Sequence, residues 1–137
     1  EAARATFIAM IYDTELEAEN IRLANVAYEK FRQQLTVSLL GMGTDGHVAS
    51  LFPGDPASEH DLQTSSPGLI VTRAPSKPEH RISCTQALIK QSKSMYLIIN
   101  GALKEQVLTE SVAKKLPVSY FLTDTSNPIQ VFLSTTN

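Results

Sequence analysis

An acid and a histidine two residues apart, Asp45 and His47, sit in and beside the glycine-rich run Gly41-Met42-Gly43-Thr44-Asp45-Gly46. Histidine exchanges protons near neutral pH and so serves as a general base or acid. A neighbouring carboxylate can orient the imidazole or raise its basicity. On residue type alone, Asp45 can equally cap a short following helix, with His47 as that helix's first polar residue. A second pair, Lys77 and Arg81 in Ser76-Lys77-Pro78-Glu79-His80-Arg81, brings an ammonium and a guanidinium into one stretch. Together they make a natural phosphate clamp; as an isolated pair they also read as two solvated surface charges.

The three glycines fit G-x-G-x-x-G, the dinucleotide fingerprint, but the context fails. That reading needs an acidic residue closing a second strand about 20 residues further on. Glu59 and Asp61 fall instead in a loop rich in proline and serine, and the helix expected after the glycines meets Pro53 too soon. The glycines are better read as a tight turn that brings backbone close to a ligand while Asp45 and His47 act on it. His60 and His80 occupy polar loops and carry no assigned role. Three scattered histidines without H-x-x-x-H spacing give no metal signature.

With 12 basic against 14 acidic residues and a net charge of -2, nothing favours nucleic acid, and no basic run suggests an anionic membrane surface. A small anionic substrate remains compatible, since its site needs only two or three local cations. Cys84 is the only cysteine, which excludes an intrachain disulfide and a cysteine cage for zinc. A lone thiol suits a reducing compartment, so a cytoplasmic location is expected. No apolar run approaches the roughly 20 residues of a membrane span. The opening Glu1-Ala2-Ala3-Arg4 lacks the form of a signal peptide and an initiating methionine, as expected of a fragment.

The elements that must position these residues follow from periodicity. Residues 6–11 read as a short buried strand. Residues 15–35 form an amphipathic helix, with Leu16, Leu23, Ala27 and Phe31 on one face. Residues 35–40 form a strand leading straight into the glycine loop, 47–52 a short helix stopped by Pro53-Gly54, and 54–68 an exposed excursion. Strands are expected at 69–73, 81–83, 95–100, 118–122 and 131–134, and helices at 86–93 and 102–115. Strands alternating with helices imply a single α/β domain over 1–137 with a largely parallel sheet. In such sheets ligands gather outside the carboxyl ends of the strands, where the glycine loop lies.

The run Gly41 through Gly54, including Ala49-Ser50-Leu51-Phe52-Pro53-Gly54, closely resembles the signature of 6-phosphogluconolactonases, within the wider family of sugar-phosphate isomerases and glucosamine-6-phosphate deaminases. Ser76-Lys77-Pro78 with Arg81-Ile82-Ser83, Asn100-Gly101 with Lys104, and Leu116-Pro117 with Ser119 resemble later family segments in order, covering most of the chain from about Leu35. The resemblance implies a Rossmann-like three-layer sandwich, incomplete at its N-terminus. It implies hydrolysis of 6-phosphoglucono-δ-lactone to 6-phosphogluconate, in the oxidative pentose phosphate pathway. His47 would activate water or protonate the ring oxygen, Asp45 would orient it, and the amides around Gly41, Gly43 and Gly46 would meet the substrate and its oxyanion. Lys77 and Arg81 would hold the phosphate. No metal or organic cofactor is implied, because the lactone is already an activated ester.

The chain departs from the family before Leu35. Neither the glycine-serine-threonine phosphate loop nor the Asp-Glu-Arg motif of the family's N-terminal half is present, so the chain by itself is expected to be poorly active. Two other functions fit the same residues. One is amino-sugar phosphate deamination or isomerisation, whose sequences usually diverge at Ala49-Ser50-Leu51-Phe52. The other is a non-catalytic sugar-phosphate sensor that keeps Lys77 and does not need His47.

Overall fold

The computed structural model describes residues 4–12 and 15–134, so Glu1-Ala2-Ala3, weighed above as a leader, lies outside the described part. Helix α1 spans Glu17–Tyr28 and buries Asn20 and Ala24, one turn apart, while Glu17 and Glu19 place negative charge in its first turn. It ends earlier than its periodicity predicts, in a 3-10 turn Glu29–Phe31. The chain must then enter the sheet, and the Leu35 amide bonds to the Gln91 carbonyl at 3.2 Å.

Strand β1, Leu35–Leu40, pairs in parallel with β4, Ser92–Asn100, which pairs in parallel with β5, Gln130–Ser134. The order β1-β4-β5 puts the carboxyl ends of all three at one edge. Strands β2, Leu69–Arg73, and β3, His80–Cys84, stand apart as an antiparallel ribbon, with Thr72 opposite Arg81. The expected parallel sheet is therefore present, and the two middle strands form a separate element.

Alternation along β4 separates two faces. Met95, Leu97 and Ile99 are buried against Val48, Leu51, Val118 and Phe121, with Val107 and Leu108 packed alongside. On the other face Val37, Leu39, Ile98 and Phe132 are each more than half exposed, in registered rows. Helices α3, Gln86–Lys90, α4, Ala102–Glu110, and α5, Ser119–Leu122, follow the ribbon in sequence. A second cluster of Ala24, Leu69 and Leu88 ties α1 to the ribbon and α3.

Helix α4 stops at Glu110, short of the expected 102–115, and four expected elements differ in kind. Residues 6–11 form no strand, because side chains take up their backbone groups. Asn20 Nδ2 donates to the Met10 carbonyl at 2.9 Å and the Tyr28 hydroxyl to that of Ile8 at 3.1 Å. Residues 47–52 form no helix: Ala49 has φ 54° and Val48 bridges to both Met42 and Leu51. The excursion at 54–68 contains helix α2, Pro56–Asp61, started by Asp55 accepting from the Ser58 amide at 3.0 Å. Residues 118–122 are helical, with Val118 and Phe121 buried three apart, a spacing that a short apolar run does not separate from a strand.

Helix α2 also delivers Asp61, which is 4% exposed and accepts from the Gln86 amide at 2.8 Å at the start of α3. Burial raises its carboxyl above the ordinary value; the Gln86 amide and nearby His60 act the other way. The folded chain thus holds this proton more tightly than the unfolded chain, and the group's contribution to stability falls as pH climbs out of the acid range. Asp61→Ala is expected to cost about 1–3 kcal/mol by leaving the Gln86 amide bare. Asp61→Asn keeps an acceptor there, and its stability relative to the parent should rise from about pH 3 to about pH 7 in urea titrations. A constant difference across that range would refute the assignment.

Candidate active site

The loop leaving β1 is closed by its own backbone. Gly46 N–H donates to the Gly43 carbonyl at 3.1 Å and Gly43 N–H to the His47 carbonyl at 3.0 Å. The Val118 amide donates to the Gly46 carbonyl at 3.1 Å, which ties the turn to the start of α5. The amides of Gly43 and Gly46 are therefore committed internally. Those of Thr44 and Asp45, at the tip of the turn, have no partner among the described residues.

Inside the turn one carboxylate oxygen does two jobs. Asp45 Oδ1 accepts from the His47 amide at 3.1 Å and lies 2.6 Å from His47 Nδ1. With the carboxylate ionised, Nδ1 carries the ring proton, and the lone pair of the neutral imidazole sits on Nε2. Gly43 makes the pair possible. A Cβ there would fall 2.3 Å from His47 Nδ1 and 2.5 Å from Asp45 Oδ1. Gly46 meets a different need, with φ +83° and a hypothetical Cβ 2.7 Å from Leu116 Cδ1.

His47 faces a cleft of about 540 Å³ lined by Leu39, Gly41, Met42, Gly43, Ala49 and Lys104, among others. Lys104 comes from the first turn of α4, just beyond the end of β4. The ribbon closes on the loop at Ser50: Thr72 Oγ1 donates to the Ser50 carbonyl at 2.7 Å and Ser83 Oγ accepts from the Ser50 amide at 3.1 Å. Arg81, opposite Thr72 and two residues before Ser83, projects from that same ribbon face. Its guanidinium donates to the carbonyls of Pro78 and His80. Arg81 lines a cleft with Tyr12 and Glu17, and Lys77 another with Glu79 and His80, neither of them the cleft that holds His47.

The structure thus joins Asp45 to His47 and places Gly41 and Gly43 in the cleft with His47, while Arg81 stands on the neighbouring ribbon and Lys77 in the connection between its two strands. Lys104 is the cation in the cleft itself. The signal for it is topological: β1 and β4 are parallel neighbours, so residues just past their carboxyl ends meet. Burial pushes the Cys84 thiol up to about 11, so it is protonated at neutral pH and is no rival nucleophile. Among the described residues no group of three His, Cys, Asp or Glu side chains could hold a metal ion, and no helix is long and apolar enough to cross a membrane.

The family described as glucosamine-6-phosphate isomerases/6-phosphogluconolactonase matches residues 2–131. A 6-phosphogluconolactonase of Caulobacter vibrioides is 34% identical over 125 residues, covering 89% of this chain and 53% of that protein. One of Rhizobium meliloti is 30% identical over 136 residues, covering 96% and 59%. The crystal structure of a 6-phosphogluconolactonase from Shewanella baltica superposes with a TM-score of 0.87 at 26% identity, over 98% of this chain and 59% of that one. The chain therefore spans little more than half the length of these relatives.

Proposed function

The chain belongs to the glucosamine-6-phosphate isomerase/6-phosphogluconolactonase family, and from that premise we propose that it carries the water-activating part of a site hydrolysing 6-phosphoglucono-δ-lactone. The observation that carries the reading is the Asp45–His47 contact, 2.6 Å at the mouth of a cleft that also holds Lys104. His47 Nε2 takes a proton from water as the water oxygen bonds to C1 of the lactone. The carbonyl oxygen becomes an oxyanion, for which the loop's uncommitted amides at Thr44 and Asp45 are the available backbone donors. Collapse re-forms the carbonyl and breaks the bond from C1 to the ring oxygen, which takes the proton back from His47. Asp45 holds the imidazole and stabilises its charged form between the two transfers. Lys104 meets the phosphate from within the cleft, so that remote binding aligns C1, while Arg81 and Lys77, assigned to the phosphate by resemblance, line other clefts in this structure.

The test uses this chain placed behind the N-terminal part of the Caulobacter relative that it does not match. The chimera is assayed for proton release from the lactone and for ammonia release from glucosamine 6-phosphate. Lactone turnover alone is expected, with Lys104→Ala raising KM about 10-fold or more through the lost charge-assisted contact and lowering kcat less. Turnover of the amino sugar alone would overturn the assignment. Sugar-phosphate binding without turnover, indifferent to His47→Ala, would make the domain a sensor.

A further inference from the structure

An imidazole that must face water and then a ring oxygen has to stay aimed, and Asp45 alone does not aim it. One hydrogen bond at Nδ1 leaves the ring free to tilt about that contact. Its face is covered by Phe52, whose ring centroid lies 4.7 Å away at an interplanar angle of 48°. Phe52 is 6% exposed, whereas the His47 side chain is 32% exposed. The wall is buried and the imidazole it backs is open to the cleft.

Phe52 is itself fixed from behind. Its amide donates to Ser58 Oγ at 3.0 Å. The Ser58 hydroxyl donates to Asp55 Oδ2 at 2.6 Å, and that same oxygen accepts from the Ser58 amide. Ser58 is fully buried and Asp55 nearly so. Capping α2 needs only the bond from Asp55 to the Ser58 amide. The serine hydroxyl goes further, reaching back across Pro53 and Gly54 to hold the Phe52 backbone. Resting on the proposed role of His47, we propose that Phe52 is a positioning residue for that base, and that Ser58 and Asp55 form the knot that seats it. The knot explains why α2 follows the loop so closely: its first turn is the anchor of the aromatic wall.

The reading is tested without turnover, by following the His47 Nδ1 proton in this chain by NMR, assigned by its loss in His47→Gln. A slowly exchanging downfield resonance is expected in the parent. In Phe52→Ala its exchange with solvent should quicken by about 10-fold or more as the imidazole leaves its seat, and Phe52→Tyr should restore it. Ser58→Ala should move it in the same direction by less. It supplies the readout if Phe52→Ala does not fold, as judged by its amide spectrum. In the chimera, Phe52→Ala should lower kcat by about 10- to 100-fold with KM nearly unchanged. An unchanged Nδ1 resonance in folded variants would refute the positioning role even if the lactone is hydrolysed. A quickened resonance in a chimera inert to the lactone would instead refute the proposed reaction and leave the wall standing.

Discussion

Gly43→Ala in the chimera is expected to lower lactone turnover by about 10²–10⁴-fold, the range that general acid–base catalysis supplies. The new Cβ would lie 2.3 Å from His47 Nδ1, 2.4 Å from Cε1 and 2.5 Å from Asp45 Oδ1. All three are below any real carbon contact, and none of the neighbours is a free end. The two side chains are locked to each other at 2.6 Å, and Gly43 is held through its own amide and carbonyl. Relief comes only by driving the imidazole off the carboxylate, which removes the base while the core beneath is untouched. Gly41 is the control. A Cβ there meets no protein atom within 4 Å, so Gly41→Ala should leave the Asp45–His47 pair in place and cost far less turnover than Gly43→Ala. A phosphate cradle would demand all three glycines for close backbone approach, so equal losses at Gly41 and Gly43 would restore that discarded reading. Gly46→Ala should instead lower the melting temperature, because it combines φ +83° with a contact on Leu116. Steady-state kinetics beside thermal melts separates the three outcomes.

The glycine loop shows what a sequence exposes and what it hides. The Asp45–His47 contact was legible because it is local: two residues apart, the side chains meet within one turn. The expected helix over 47–52 was not, because Ala49 at φ 54° is a conformation an alanine gives no hint of. At 54–68 a signal was present and outweighed. Asp55 followed by Pro56 is a cap with proline in the first turn, but the surrounding Ser and Gly suggested a loop. The parallel order of β1 and β4 followed from alternation with helices, whereas the ribbon of β2 and β3 depends on a pairing that periodicity alone does not carry. That is why Lys77 and Arg81, assigned to the phosphate by resemblance, stand on a separate element, while Lys104 enters the cleft through the neighbourhood of two strand ends.

His47→Asn should cost the chimera about 10²–10⁴-fold in kcat, since His47 is the one imidazole among the described side chains lining the cleft. The informative comparison lies at Asp45. Its Oδ1 alone accepts from both the His47 amide and Nδ1, so Asp45→Asn can set its carbonyl oxygen in the same place and keep the proton on Nδ1. What it loses is the charge that steadies the imidazolium. Asp45→Ala loses the charge, the ring's anchor and the backbone bond together. Turnover should therefore fall by about 10-fold in Asp45→Asn and by about 10²–10³-fold in Asp45→Ala. If Asn and Ala are equally damaging, charge is the whole contribution of Asp45 and the shared oxygen is incidental. If neither matters, the carboxylate only caps the turn. The double variant His47→Asn with Asp45→Ala should be no slower than His47→Asn alone, because Asp45 acts on the reaction only through the imidazole it holds.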